Sequence, residues 1–518
     1  MRRLARAAAV VALFGVLSRL LGFVREIVLA GVYGASAVTD AFVNGLFIVN
    51  TVAAVLLYTM TTLVIPVFQE ERERAGAQSA WRLVTALAVW VGGVLIVLAA
   101  AVSIWPEGPA ALFNLDAERE RRTAELLRIM APALMLQGFT ALLTALLQIH
   151  GRFAGPAAIG VAFNFGIIVG VAAGQGPLGI EAAAWGVTLG AIAQVALQVP
   201  QFITVSRGVM SRPKGTHARL GAVGLLALPV LGASLLQQVN GFTDRLFAGT
   251  LEAGRVSALS FAQALGSAPR TALLFPLLTP LFPLIARFIA ERREEDALRA
   301  FRRAAGLLGL VAVPLSVWVA IYATELTQLA FKRGRFDAEA VTQTAGPLVF
   351  YGLAIWANFI GYLLNRTLAA GSHVRDILVA TSITVPLTIG LDLALIGPME
   401  QSGLALASAI AVYANTSMTL YLARRRYPSI GVRALGRQQA RIALCGGIAA
   451  GAALLLNLGL ESDGGGPAFE VAALFAGKSL VALAVFLAAA RLIAPAELAE
   501  GRRSLAALIP RRRYRPST

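Results

Sequence analysis

Residues 18–42 read SRLLGFVREIVLAGVYGASAVTDAF. Two apolar runs are interrupted by Arg19, Arg25 and Glu26, a short GAS connection follows, and Asp40 opens the next apolar block. Upstream, Arg2, Arg3 and Arg6 precede an apolar stretch, a pattern shared with secretory signals. No small-residue cleavage site follows a short apolar core, so the segment reads as a retained first membrane helix. Ionisable groups inside such a helix are costly, which makes each one a candidate functional residue.

Moving outward, the 518 residues are 57% hydrophobic and 14% charged, with mean hydropathy +0.72. A soluble domain is nearer 45–50% apolar and roughly 25% charged. Water-soluble enzymes, disordered chains and disulfide scaffolds are thereby excluded. A membrane-crossing helix takes about 20 apolar residues, which leaves room for roughly 12–15 spans. The expected architecture is all-α and polytopic, with about 14 transmembrane helices. They fall near 8–31, 39–68, 80–105, 124–149, 155–174, 180–205, 221–249, 256–287, 304–331, 341–368, 376–396, 402–423, 439–458 and 468–494. Prolines such as Pro106, Pro132, Pro200 and Pro398 mark ends or kinks.

The charge balance, 45 basic against 28 acidic residues, gives +17. An even number of spans puts both ends on one side. The termini and the loops on their side hold about 29 Lys and Arg, and the opposite loops about 7. The positive-inside rule therefore predicts cytoplasmic termini in a multi-pass membrane protein. Arg511, Arg512, Arg513 and Arg515 would rest on anionic headgroups, so the basic charge calls for no nucleic acid. The single cysteine, Cys445, and the dispersed His150, His217 and His373 offer no thiol or histidine metal centre. There is no phosphate-binding loop and no nucleophile–base pair, so the expectation is no enzyme and no cofactor, with energy drawn from Na⁺, H⁺ or the membrane potential.

The longest mid-chain polar connection, at 206–220, predicts an N-lobe at 1–206, a cytoplasmic linker at 207–220 and a C-lobe at 221–426. Two further helices occupy 427–495 and a basic tail 496–518. A faint internal repeat relates LLQIHGRFAGP and GPLGIEAAAWG to LLNRTLAAGS and GPMEQSGLALA. Such repeats are common in transporters, with the substrate between the halves.

Arg19 and Arg25 suit phosphate, because a guanidinium stays charged and binds phosphate bidentately. The competing reading is a structural ion pair, with Glu26 as partner. Asp244, Thr388, Asp392 and Ser408 form a second set, with Thr388 and Asp392 on one helix face. Carboxylates with hydroxyls suit Na⁺ or a proton relay; Asp244 pairing with Arg245 or Arg366 is equally open.

The quoted opening, GRFAGPAAIGVAFNFGII (151–168), GIEAAAWGVTLGAIAQVALQVP (179–200), QVNGFTDRLFAGTLEAGRVSALSFA (238–262), RGRFD (333–337) and GLALASAIAVYAN (403–415) stand in one order. In these stretches the chain resembles the lipid II flippase family MurJ (MviN), of the multidrug/oligosaccharidyl-lipid/polysaccharide exporter superfamily. The resemblance implies two six-helix lobes around a central cavity, and a groove for the lipid tail at helices 13 and 14. It also implies alternating access that carries lipid II, an undecaprenyl-diphosphate-linked peptidoglycan precursor, to the outer leaflet for cell-wall biogenesis. Cell-wall synthesis or division proteins are the implied partners. Arg19, Arg25, Glu26, Asp40, Asn50 and Arg270 are the implied substrate-side residues, and Asp244, Thr388, Asp392 and Ser408 the implied sodium set. The chain departs from the family in two places. Asn50 is followed by Thr51, Val52, Ala53 and Ala54 rather than a run ending in two arginines, and Ala264 stands where helix 8 usually carries another. Arg270 could compensate for the second. The departures bear on the substrate, leaving open another polyprenyl-diphosphate-linked glycan or a non-transporting scaffold.

Overall fold

The structure is a computed structural model, and it describes residues 2–207, 216–269, 273, 274, 277, 281–459 and 468–508. Among these residues the regular structure is entirely helical. Among the described residues nine helices are long and apolar enough to cross a membrane, or up to eleven if each of two bent pairs is one span. The chain divides into two compact units: unit 1 holds Met1–Phe261 and Arg333–Ala340, and unit 2 the remainder.

Unit 1 contains α1 (Arg2–Tyr33), α2 (Ala37–Ala75), α3 (Ala77–Ile104), α4 (Glu107–Ala111), α5 (Ala117–Ile149), α6 (Ala154–Gly174), α7 (Glu181–Ser206), α8 (Leu220–Leu236), α9 (Val239–Ala248) and the start of α10 (Arg255–Pro269). Its 32-residue first helix is about 48 Å long at 1.5 Å per residue. Phe68, Trp81, Val84 and Leu146 join α2, α3 and α5 in one buried cluster. Helices α6 and α7 approach backbone to backbone. A Cβ on Gly166 would stand 2.4 Å from the Gly190 Cα, and one on Gly186 2.7 Å from the Ile167 Cα. Small residues at a helix interface permit this in an apolar solvent that supplies no hydrophobic drive. Buried amides and hydroxyls add interhelical bonds: Thr188 donates to the Ile129 carbonyl at 2.8 Å and Thr144 to Gln198 Oε1 at 3.0 Å.

The RGRFD segment folds onto the α1–α2 connection. The Arg335 amide donates to the Gly31 carbonyl at 2.9 Å, and Phe336 meets Phe261 edge-on at 5.7 Å. Gly334, at φ 59°, lies so close that a Cβ would stand 2.0 Å from that same carbonyl. Gly34, at φ 69°, turns the chain beneath it.

In unit 2 the helix Glu294–Ile321 runs through the core, with Phe301, Leu308, Phe359 and Leu364 fully buried. Three acidic residues occupy its first turn, where the helix dipole favours them. Val432–Gly459 and Ala468–Ile493 dock on it through polar bonds. Trp356 Nε1 donates to Gln439 Oε1 at 3.0 Å, Gln439 Nε2 to the Ala305 carbonyl at 3.0 Å, and Trp318 Nε1 to Ser479 Oγ at 2.8 Å.

Several expected spans are broken. The 221–249 segment bends by 44° between α8 and α9, and 341–368 bends by 43° between Ala338–Leu353 and Ile355–Ala370. The 304–331 segment breaks at Tyr322. Those at 376–396 and 402–423 form one 53-residue element, interrupted at Glu400, where φ is 49°.

Candidate functional site

Arg25 sits eight residues before the end of α1, inside an apolar helix, with its side chain 15% exposed. Its guanidinium donates from Nη1 to Asn164 Oδ1 on α6 at 3.0 Å, and from Nη2 to the adjacent Glu26 carboxylate. Asn164 is itself fixed, because its Nδ2 donates to the Gly160 carbonyl at 2.9 Å and to the Ser18 carbonyl at 3.2 Å. The amide carbonyl is thereby aimed at Arg25. The guanidinium Nε is buried without a hydrogen-bond partner. Of the two readings of Arg25, the ion pair with Glu26 is present. It leaves a donor over, so it does not exhaust the cation. Asn164 lay inside a quoted motif, but nothing in its spacing marked it as the residue that orients Arg25.

Asp40 has a different place. It is fully buried at the start of α2, where Oδ2 accepts the Gly254 amide and Oδ1 the Ser257 amide, both at 2.7 Å. A carboxylate at that position caps the start of α10 from another helix. Arg119 Nη1 lies 3.6 Å from Oδ2, and Arg119 Nη2 donates to the Leu251 carbonyl at 2.8 Å. Asp116, which caps α5 by accepting the Arg119 amide at 2.9 Å, also grips the Arg119 side chain. That amide bond holds the Asp116 carboxyl below its ordinary range. Asp40 thus works inside the fold, with the nearly buried Arg119 as its ion-pair partner.

A second cation emerges where sequence had offered only a counter-ion. Arg245 on α9 donates to Asn44 Oδ1 at 3.4 Å and lies over the Phe47 ring, 5.3 Å from its centroid. Asn44 is fully buried, and its Nδ2 has no hydrogen-bond partner. Asn44, three residues before Phe47 on α2, carried no motif signal.

Of the other expected residues, Arg19 and Asn50 are exposed on α1 and α2, and Arg270 lies outside the described residues. Asp244 stands in unit 1, whereas Thr388, Asp392 and Ser408 stand in unit 2. Thr388 and Asp392 do share a buried stripe, and Thr384 extends it by one turn. The Thr388 hydroxyl donates to the Thr384 carbonyl at 2.9 Å, and Asn415 Nδ2 donates to Thr384 Oγ1 at 3.1 Å. Among the described residues no group of three His, Cys, Asp or Glu side chains is gathered for a metal.

The family model described as "Lipid II flippase MurJ" matches residues 29–473. The chain belongs to the MurJ family. A lipid II flippase MurJ of Burkholderia cenocepacia is 26% identical over 436 residues, covering 81% of this chain and 84% of its own. The solved structure of a lipid II flippase MurJ in an inward closed conformation superposes with a TM-score of 0.78. It is 18% identical and covers 93% of this chain and 98% of that one. An inward-facing multidrug resistance transporter of the MATE family, in the MOP superfamily, superposes at 0.68 with 12% identity, covering 80% and 95%. The fold of this chain is therefore shared with that transporter as well. Membership makes it a multi-pass membrane transporter.

Proposed function

We propose that this protein carries lipid II from the cytoplasmic to the outer leaflet of the bacterial inner membrane, with both termini in the cytoplasm and no chemistry performed on the lipid. A diphosphate cannot cross hydrocarbon without groups that replace its hydration. The observation that carries the reading is Arg25: a cation within a membrane helix, oriented by Asn164, with a guanidinium donor left over. Arg25 is the principal phosphate ligand in this account, Arg19 supports it from nearer the cytoplasm, and Glu26 limits its net charge. Helices 432–459 and 468–493 of the second unit hold the prenyl tail.

Transport draws on an ion gradient or the membrane potential. Asp392, fully buried on the Thr384–Thr388 stripe, is the residue best suited to carry a Na⁺ or a proton.

The test is depletion of the protein in its host, with complementation by variants and measurement of lipid II exposed on the outer leaflet. Wild type restores exposure. Arg25→Ala is expected to insert normally and restore less than about a tenth of it, the loss of one charge-assisted phosphate clamp. Full complementation by Arg19→Ala and Arg25→Ala together would remove the phosphate-binding role. Normal exposure of lipid II after depletion, with another lipid-linked glycan accumulating inside, would transfer the same path to that glycan.

A further inference from the structure

One face of the helix Ala468–Ile493 grips both sides of a helix break. Phe475, Lys478 and Ser479 stand three and four residues apart on that helix and so share a face. Opposite them are Trp318 near the end of the helix Glu294–Ile321, Tyr322 at the break, and Glu325 in the helix Ala323–Phe331 that follows. All six belong to unit 2. Trp318 is held by the Ser479 hydroxyl and by the Phe475 ring, 5.5 Å away between centroids, and Phe475 also meets Tyr322 edge-on at 5.7 Å. Glu325 faces Lys478, with Oε1 4.0 Å from Nζ and the two side chains 14% and 4% exposed.

The polar part of this patch is not fully satisfied. Tyr322 is completely buried, and its hydroxyl has no hydrogen-bond partner. The Lys478–Glu325 separation is an ion-pair distance but too long for a hydrogen bond. Lys478 lies eight residues, about 12 Å, inside the apolar span Glu470–Ile493. Stability does not explain a charge pair there, because well-packed apolar side chains hold two helices as firmly without the desolvation cost. Tyr322 and Glu325 are three residues apart, and both look onto the 468–493 helix. The Glu325 carboxylate therefore has two competing donors, the ammonium it faces and a hydroxyl one turn back.

We propose that Tyr322, Glu325 and Lys478 are positioning residues of the transport cycle, forming a two-position switch at Glu325. In the position seen here the carboxylate faces Lys478 and ties the 323–331 helix to the 468–493 helix. In the other it accepts the Tyr322 hydroxyl and lets that tie go. Each position leaves one donor unsatisfied, which keeps the two close enough in free energy to exchange. The tie joins two parts that transport would use. The 468–493 helix is one of the pair assigned to the prenyl tail, and the 323–331 helix leads directly into the segment Arg333–Ala340, which belongs to unit 1. The inference rests on the transport reading given above.

The experiment compares Tyr322→Phe with the double variant Glu325→Gln, Lys478→Met. Thermal midpoint and lipid II binding are measured on each full-length purified protein, and lipid II exposed on the outer leaflet is measured in depleted cells carrying the variant. Tyr322→Phe removes only the unpartnered hydroxyl, so its midpoint should equal or exceed that of wild type. Its binding should stay within about threefold of wild type and its exposure fall about tenfold, the loss of one hydrogen bond to a charged group. The double variant removes the pair without stranding either charge, and it too should keep binding and lose exposure. Wild-type exposure in either variant overturns the proposal. A lowered midpoint or lost binding in Tyr322→Phe also overturns it, because the hydroxyl would then serve the fold or the binding site and not the change of position. Should the double variant fail to accumulate in the membrane, Tyr322→Phe decides alone. Normal lipid II exposure in depleted cells with no complementing copy would instead overturn the transport reading, and this proposal with it.

Discussion

At the scale of the residue, the intramembrane charges have separate jobs that their positions in sequence do not separate. Arg19, Arg25, Glu26 and Asp40 fall within one 22-residue stretch and stand out as ionisable groups among apolar neighbours. That signal is legible because burying a charge is costly whatever its purpose. What it cannot tell is which partner arrives from elsewhere: Asn164 lies 139 positions from Arg25, and Ser257 217 positions from Asp40. The difference is testable. Asp40→Ala takes from the nearly buried Arg119 one of its two carboxylate partners, Asp116 being the other, and leaves the buried Gly254 and Ser257 amides at the start of α10 unpaired. It should lower the unfolding free energy by on the order of 3–5 kcal/mol, read as a large fall in the thermal midpoint in detergent. Arg25→Ala should leave that midpoint close to wild type and remove transport. Asp116 adds a milder case. Its folded pKa lies below the ordinary value, so its contribution to stability is present above about pH 4 and fades as pH falls further. Asp116→Ala should cost about 1 kcal/mol at neutral pH, the worth of an N-cap. Asp116→Asn should retain most of the cap while flattening the acid side of the stability–pH curve.

At the scale of the element, hydropathy located the apolar blocks, and the backbone then divided them. The pair α8 and α9 reads as one span because both limbs are apolar, yet the chain bends by 44° at Gln237–Gln238. No proline stands at that joint, so nothing in the local sequence announced it. The join at Glu400 follows Pro398 and was legible as a helix end. The α6–α7 contact depends on glycines that composition registers only as abundant. A substitution such as Gly186→Ala places a Cβ against the Ile167 backbone and should push the two helices apart, at about 1–3 kcal/mol. The measurement is thermal stability together with protein level in the membrane. Gly93→Ala, where a Cβ meets nothing within 4 Å, should be neutral in the same assay.

At the scale of the whole molecule, the basic charge is first a statement of orientation. The prediction is that single cysteines introduced near Arg72, Arg299 and Arg433 into a Cys445→Ala background react with a thiol reagent only from the cytoplasmic side. One near Arg121 should react only from outside. The basic residues that depart from the charge rule have structural work: Arg119 pairs with Asp40, and Arg333 and Arg335 pack on the end of α1 and the α1–α2 connection. In the proposed function this molecule moves lipid II, with Arg25 holding its diphosphate. The most direct test is the outer-leaflet exposure of lipid II after the chromosomal copy is depleted and Arg25→Ala is supplied at wild-type membrane levels. Lipid II should accumulate on the inner leaflet and its outer exposure should fall about tenfold or more. Exposure indistinguishable from wild type would contradict it.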